Sequence, residues 1–253
     1  MISQQLIRNH LAVNQPDIAE QLLRQLVQRS QETANTLMLR GDIARVRKDL
    51  VSAYRFYKQA LMEDTSFNQV LAKMYFVSAQ LSNQTDFAET VEKLIATQPE
   101  LLFHRNLLAD YYLESADFDS AEMHLRVLSR YEDFGNRALV LNNLANILLN
   151  RADISEAVTL SETAYALNPD VAAIVDTYAW ALAKDEKYEQ ALKLLRRAYA
   201  MDSADPSIHY HLGYTLIKLG NLAEGKAQLE TVLASAENFI GRLEAESLLS
   251  TTN

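Results

Sequence analysis

The chain has 253 residues and a formal net charge of −9, and this acidity argues against a surface that tracks nucleic-acid phosphates, which needs clustered Lys and Arg. It contains no Cys, which excludes disulfides, thiolate metal sites and a catalytic thiol. No apolar run reaches the length of a transmembrane helix and the first residues lack the pattern of a signal peptide, so we expect no direct membrane insertion by this chain.

Gly and Pro are scarce, with six and four residues, so few positions break helices. The prolines Pro16, Pro99, Pro169 and Pro206 all fall at predicted turns between helices. We therefore expect an almost entirely helical protein. Because the chain begins within a repeat pattern, we also expect it to be a portion of a longer protein.

The first two predicted helical hairpins occupy residues 1–33 and 34–67. The first has a degenerate pattern on either side of a turn at residues 14–17. The second has apolar and small residues at the spacing of two amphipathic helices. These residues are Leu37, Gly41, Ala44, Ala53, Tyr57 and Ala60.

The next two hairpins, at residues 68–101 and 102–137, depart from a regular period. In the third hairpin the second helix, counted from Phe87 to Pro99, is short by about three residues, so we expect a local irregularity or bend. The fourth hairpin is longer than its neighbours. We place its extra length near Gly135 and Asn136, which favour turns.

Residues 138–239 repeat one hairpin pattern every 34 residues, at 138–171, 172–205 and 206–239. The recurring residues are Leu141, Leu144, Ala145, Leu148, Ala157, Ser161 and Ala164, then Val175, Tyr178, Ala179, Leu182, Ala191, Leu195 and Ala198, then His209, Leu212, Gly213, Leu216, Gly225, Leu229 and Val232. One such hairpin cannot bury its apolar face alone, so neighbouring hairpins must stack. The pattern resembles the tetratricopeptide repeat family, particularly in the segments YEQALKLLRRAYAMD and YHLGYTLIKLGN.

This resemblance implies an all-α fold, a right-handed superhelical solenoid of antiparallel helix pairs. It would consist of about six tetratricopeptide hairpins and a C-terminal capping helix at residues 240–251. We expect residues 1–253 to form a single array.

The sequence contains no recognisable catalytic or metal-binding motif. Gly220 and Gly225 have the spacing of a phosphate-binding loop, but Ala227 occupies the position that requires Ser or Thr, and no strand precedes the motif. We therefore interpret Gly220 as a turn residue and Gly225 as a close-packing residue. His209 and His211 point in different directions on a helix and cannot readily share a metal. We predict a non-enzymatic protein without cofactor or metal.

The family resemblance implies that the first helix of each hairpin lines a concave groove. The residues predicted to face it are Asn106 and Asp110, then Asn142, Asn143, Asn146 and Asn150, then Asp176, Trp180 and Lys184, and finally Tyr210, His211, Tyr214 and Lys218. Carboxamides donate and accept hydrogen bonds, which suits an extended peptide backbone, and aromatic rings are rigid anchors. We predict that this groove, centred on residues 139–218, binds a peptide or protein. The alternative is that the asparagines are simply solvated and the tyrosines pack between helices.

Two other features of the charged residues bear on binding. The family's clamp on an acidic C terminus needs Lys or Arg where this stretch has Asn142, Thr177, Ser207 and His211, so we do not expect that mode. The basic segment around residues 40–48 is interpreted as a solvated helix face.

The C-terminal segment from His209 to Ser250 resembles the closing repeat of bacterial tetratricopeptide proteins, including those of exopolysaccharide and exosortase (PEP-CTERM) systems. The matching residues are Leu212, Gly213, Gly220, Leu229, Phe239, Arg242, Glu244, Ala245, Glu246, Leu248 and Leu249. This resemblance implies an adaptor in envelope secretion or exopolysaccharide assembly, in the periplasm or at the envelope; a cytoplasmic location is left open. The alternatives are a regulatory region of a larger enzyme, such as a glycosyltransferase, and a homodimer.

Overall fold

The computed structural model describes residues 3–28, 31–234, 239 and 241–251. These residues form fifteen α-helices and no β-strand, which confirms the predicted all-α class. The helices are α1 (Gln4–Ala12), α2 (Pro16–Val27), α3 (Ala34–Val46), α4 (Leu50–Glu63), α5 (Asn68–Gln80), α6 (Gln84–Thr97), α7 (Leu102–Glu114), α8 (Phe118–Leu128), α9 (Arg137–Asn150), α10 (Ile154–Leu167), α11 (Ala172–Lys184), α12 (Tyr188–Met201), α13 (Pro206–Lys218), α14 (Leu222–Ala234) and α15 (Arg242–Thr251).

The chain divides into two compact units, residues 1–124 and 125–253, and the division falls within α8. In the first unit, α1 pairs with α2, α3 with α4, and α5 with α6, and each pair contacts the next. In the second unit, α9 pairs with α10, α11 with α12, and α13 with α14, while α15 contacts both α13 and α14. In each of the two units, therefore, helical hairpins stack on their sequence neighbours.

The apolar core of the second unit is distributed along the stack rather than gathered at one point. Leu141, Ala164 and Ile174 form one buried cluster between the first two hairpins of this unit. Val175, Ala198 and Ile208 form an equivalent cluster one hairpin further on. Each cluster joins neighbouring hairpins, as expected for a repeat fold in which stability comes from nearest-neighbour interfaces.

Small residues allow the two helices of a hairpin to approach closely. A Cβ atom added to Gly213 would lie 2.7 Å from Leu229 Cδ2, and one added to Gly225 would lie 2.7 Å from Ile217 Cγ1. The prediction that Gly225 is a close-packing residue is confirmed. Gly220, with φ of 79°, is confirmed as a turn residue.

The hairpin of α5 and α6 is the exception in the first unit. Tyr75 and Phe87 occupy the positions where the preceding hairpin has Gly41 and Ala53, and their ring centroids lie 5.0 Å apart. The two helices approach less closely than α3 and α4. The expectation of a shortened second helix is wrong, because α6 has 14 residues, the same length as α4. The irregularity comes from side-chain volume rather than from helix length.

The turn within each hairpin has the same backbone geometry. In each hairpin the residue two positions after the end of the first helix has a positive φ. These residues are Asn14, Lys48, Ser82, Ala116, Ala152, Glu186 and Gly220. In the second hairpin the Lys48 N–H donates to the Arg45 carbonyl and the Asp49 N–H donates to the Ala44 carbonyl, each at 2.9 Å. This pair of bonds is the Schellman cap, which satisfies the last carbonyls of the helix.

The longest connection between described helices of the second unit lies between α8, which ends at Leu128, and α9, which begins at Arg137. Gly135 and Asn136 form a turn within it. The final helix, α15, begins at Arg242, while Ile240, with which the predicted capping helix begins, lies outside the described residues. No helix in the described ranges is both long and apolar enough to cross a membrane.

Candidate peptide-binding groove

The first helices of the second unit, α9, α11 and α13, carry most of the predicted groove residues. Three of these residues are not exposed as expected. Asn142, Asp176 and Tyr210 occupy equivalent positions and are only 5%, 6% and 2% exposed. Consecutive first helices contact one another, so this position is covered by the next first helix or by α15. The prediction that these three side chains line an open surface is wrong, and Trp180 and Tyr214 are also largely buried.

The asparagines of α9 differ in accessibility. Asn146 and Asn150 are exposed and Asn143 is half-buried. Asn146 Nδ2 donates to Thr177 Oγ1 on α11 at 3.2 Å. The buried Asn142 Oδ1 has no hydrogen-bond partner among the described residues. An unpaired buried acceptor of this kind costs about 1–3 kcal/mol, so Asn142 is not explained by stability alone.

A contact between His211 on α13 and Asp176 on α11 connects these two helices. His211 Nδ1 lies 2.9 Å from both carboxylate oxygens of Asp176, an arrangement in which Nδ1–H donates to the carboxylate. The Trp180 ring stacks on the His211 ring with centroids 4.1 Å apart and an interplanar angle of 14°. Asp176 therefore fixes the orientation of the imidazole, and the imidazole in turn supports the indole.

Trp180 and Tyr214 form an aromatic floor between α11 and α13. Their ring centroids are 5.0 Å apart in an edge-to-face arrangement, and they are 9% and 8% exposed. Lys184 Nζ lies 4.8 Å from the Trp180 centroid and 5.2 Å from that of Tyr214, and Lys218 Nζ lies 5.3 Å from the Tyr214 centroid. Burial raises the pKa of the Tyr214 hydroxyl to about 12. These contacts hold both rings in fixed orientations.

Helix α15 contributes Glu244 to the same surface. The Tyr210 hydroxyl donates to Glu244 Oε2 at 2.5 Å, and Lys184 Nζ lies 3.7 Å from Glu244 Oε1. Burial, followed by this bond to a carboxylate, raises the pKa of Tyr210. Only a capping role is predicted for α15 from its sequence, and that prediction does not include Glu244 among the groove residues. Its position, 34 residues after Tyr210, is the signal that could have identified it.

Asn106 and Asp110 belong to the first unit, on α7. Asn106 Nδ2 donates to Asp110 Oδ2 at 3.1 Å. Burial, and then the nearby charge of Glu114, raises the pKa of Asp110 to about 6. Glu114 accepts a hydrogen bond of 2.5 Å from the Tyr75 hydroxyl. These two residues therefore belong to the first unit, whereas the other predicted groove residues lie on α9, α11 and α13.

The two histidines of α13 contact different partners. His209 contacts Gln228 Oε1 and the Ser203 carbonyl, whereas His211 contacts Asp176. The described ranges contain no cluster of three His, Asp or Glu side chains that could hold a metal ion. The arrangement of amides, aromatic rings and lysines suits non-covalent binding of a polypeptide.

Comparisons with known proteins agree on one repeat family. The tetratricopeptide repeat family matches residues 5–68 and residues 182–245, together about half of the chain. No curated protein matches the chain by sequence.

Three solved structures illustrate the structural similarity. The C-terminal part of a TPR repeat-containing protein from Cytophaga hutchinsonii has a TM-score of 0.61 and 9% identity, with coverage of 96% of this chain and 99% of that one. A tetratricopeptide repeat protein from Parabacteroides merdae has a TM-score of 0.55 and 14% identity, with coverage of 98% and 96%. A chain of the APC/C hetero-tetramer Cut9–Hcn1 has a TM-score of 0.60 and 16% identity; the match covers 97% of this chain but only 48% of that one. At these identities the similarity concerns the fold.

Proposed function

Since the chain belongs to the tetratricopeptide repeat family, we propose that its second unit binds an extended segment of a partner protein along α9, α11 and α13. Arrays of such repeats are scaffolds for protein–protein interaction, and the fold is generally non-catalytic. The chain is thus an interaction scaffold. The proposal concerns which of its surfaces binds and by what chemistry.

One observation carries the proposal: the accessible carboxamides of α9 lie beside an aromatic floor whose rings are already fixed. Asn146 is tied to Thr177, one helical turn before Trp180 on α11. Trp180 is held by His211 and Tyr214. A bound peptide backbone would find amide donors and acceptors on α9, supported by two packed rings of which only a small apolar area is exposed.

Preorganisation makes this arrangement favourable for binding. Ordering a rotamer-rich side chain at an interface costs about 0.5–1.5 kcal/mol. The Trp180 and Tyr214 rings have already been ordered by their neighbours, so little of this cost remains when a ligand arrives. Lys218, which is exposed above the Tyr214 ring, provides one accessible positive charge for an acidic side chain of the partner.

The proposal is tested by selecting short unstructured peptides that bind the purified chain from a display library. Each selected peptide is then titrated against a variant carrying Asn143→Ala, Asn146→Ala and Asn150→Ala. These positions are at least partly exposed and Ala is a better helix former than Asn, so we expect the variant to fold. Its affinity should be lower by about tenfold or more.

The matched control carries three substitutions on a second helix of the same unit, α12: Glu189→Ala, Gln190→Ala and Lys193→Ala, all at exposed positions. We expect this control to bind the selected peptides like the parent chain. Equal affinities for the parent, the asparagine variant and the control would show that the binding surface lies elsewhere.

The narrower assignments stay predictions, because no comparison tests them. The role in envelope secretion or exopolysaccharide assembly rests on the resemblance of residues 209–250 alone. The alternative is a regulatory region of a larger enzyme such as a glycosyltransferase. The encoding reading frame distinguishes the two hypotheses, because a catalytic domain next to this segment would favour the alternative. Analytical ultracentrifugation of the purified chain tests whether it forms a homodimer.

A further inference from the structure

One buried position recurs in the first helices of the hairpins. It is the third residue of α3, α5, α7, α11 and α13 and the fourth residue of α9, and its side chain is at most 3% exposed in each. Five of these six residues are uncharged and β-branched: Thr36, Val70, Val140, Ile174 and Ile208. The sixth is His104 on α7, which is 0% exposed and is the one of the six that can be protonated.

The equivalent residues show that this position joins one hairpin to the next. Ile174 and Ile208 each belong to a buried cluster that connects neighbouring hairpins of the second unit. In the first unit, Leu108 on α7 is buried in one cluster with residues of α4, α5 and α6. His104 lies one helical turn before Leu108, on the same face of α7. It therefore occupies the joint between α7 and the preceding helices.

The surroundings of the His104 ring offer no compensation for a positive charge. Neither Nδ1 nor Nε2 has a hydrogen-bond partner among the described residues. The Thr65 backbone, in the turn between α4 and α5, is the polar group near the ring, and no charged side chain of the described ranges influences its titration. Burial lowers the pKa of His104 below its ordinary value of 6.5, and the nearby Thr65 backbone opposes this shift only in part.

The second buried histidine near α7 differs from His104 because its charge would be matched. His124 on α8 is 1% exposed, and its Nε2 lies 3.1 Å from Glu92 Oε1 on α6. Its Nδ1 lies 3.3 Å from Arg105 Nη1 on α7. Burial lowers the pKa of His124 as well, but the carboxylate of Glu92 opposes that shift. A proton on His124 meets a carboxylate, whereas a proton on His104 meets none.

We propose that His104 is a pH-sensitive joint of the first unit, at which protonation of the ring in acid releases α7 from α4, α5 and α6. A buried charge without a partner is strongly unfavourable, so the protonated ring must reach water. In a repeat fold this weakens one interface and leaves the others in place. Helix α7 also carries Asn106 and Asp110, two of the predicted groove residues, so their positions become pH-dependent too.

The direction of the effect follows from the burial of the neutral ring. Because the pKa of His104 is lower in the folded chain than in the unfolded chain, its contribution to stability is fully present above about pH 6.5. The contribution falls as the pH is lowered, until the folded chain is protonated as well. Within this window the equilibrium between packed and released α7 shifts by up to about tenfold per pH unit. At pH 5 the limit is therefore about 30-fold.

The test measures hydrogen exchange of the α7 amides in the full chain by mass spectrometry, at pH 7.5 and pH 5.0, with correction for intrinsic exchange rates. The diagnostic variant is His104→Val, which copies Val70 and Val140. Asp110 and His124 titrate in both chains, so their effects cancel in the ratio of variant protection to parent protection. We expect this ratio to rise by about tenfold from pH 7.5 to pH 5.0. An unchanged ratio would overturn the proposal.

The matched control is His10→Gln, which replaces a histidine of α1 that contacts Gln15 outside the core. In this control the pH dependence of α7 protection should stay within about twofold of that of the parent. A rise in the ratio as large as that of His104→Val would show that removing any histidine is sufficient, and would overturn the joint. A change of equal size in every helix would do the same, since it would indicate global unfolding.

Circular dichroism at pH 7.5 verifies that His104→Val is folded. If valine is not accommodated, His104→Thr replaces it, because threonine occupies the same position in α3 as Thr36 and is only 3% exposed there. The expected rise in the protection ratio is the same for both variants, since neither side chain can be protonated. A folded His104→Thr chain with the acid response of the parent would contradict the role of the imidazole.

Discussion

The substitution Asp110→Asn should stabilise the first unit at neutral pH and have almost no effect in acid. In the folded chain, burial and then the charge of Glu114 raise the pKa of Asp110 from 3.8 to about 6. A carboxyl group whose folded pKa lies above its unfolded value favours folding while it is protonated. Its contribution is fully present below about pH 3.8 and is lost as the pH rises through about 6.

The size of the effect follows from the shift. About two pKa units correspond to an upper limit of about 3 kcal/mol. The Asp110 side chain is partly exposed, so solvent screening reduces this figure to about 1 kcal/mol. Asparagine has nearly the same shape, cannot ionise, and still provides an oxygen that accepts the hydrogen bond from Asn106 Nδ2.

Urea unfolding followed by circular dichroism, at pH 7.5 and again near pH 4, measures the difference between Asp110→Asn and the parent chain. We expect the variant to be more stable by about 1 kcal/mol at pH 7.5, with the difference shrinking toward zero in acid. Glu63→Gln, at an exposed position of α4, is the control, and its effect should stay within about 0.5 kcal/mol. A difference between Asp110→Asn and the parent that is the same at both pH values would refute the reasoning.

Three other predictions concern packing. Leu229→Ala should destabilise the chain by about 2–5 kcal/mol in thermal or urea melts, because Leu229 is fully buried against α13, and no loss would contradict the pairing of α13 with α14. Gly41→Ala should cost about 1–3 kcal/mol because the added methyl group would overlap the Tyr57 ring, whereas Gly135→Ala, with nothing within 4 Å, should leave the melting temperature nearly unchanged. Trp180, the only tryptophan, should emit at blue-shifted wavelengths and resist quenching by acrylamide; red-shifted emission that is readily quenched would contradict its packing.

The predictions that succeeded rest on local spacing. The helical class follows from apolar residues at the period of a helix, and the roles of Gly220 and Gly225 follow from their positions in the repeat. Both depend on residues close together in the chain. The error in the third hairpin had a different origin, since Tyr75 and Phe87 fill the space between α5 and α6 with volume rather than changing the length of a helix.

The predictions that failed depend on how one helix lies against the next. Asn142, Asp176 and Tyr210 share a helix face with exposed positions, but the neighbouring helices cover them. The partners Glu244 and His211 lie about one repeat further along the chain, so helical periodicity within a single hairpin does not reveal the contacts. Residue spacing therefore predicts which helix face a side chain occupies more readily than whether that face is accessible.

The turns with positive φ have a consequence for how unfolding spreads along the chain. Six of the seven described turn residues at this position are not glycine, and a left-handed conformation costs a side chain such as that of Lys48, Ala116 or Glu186 about 1–2 kcal/mol. This cost falls on the individual hairpin, whereas the clusters of buried residues couple each hairpin to its neighbours. Glycine at one such turn would change the intrinsic stability of one repeat and leave its interfaces intact. A series of these substitutions at successive turns would therefore separate the intrinsic folding free energy of each hairpin from the interface free energy between neighbouring hairpins. The same series would show how many hairpins unfold together as one cooperative segment.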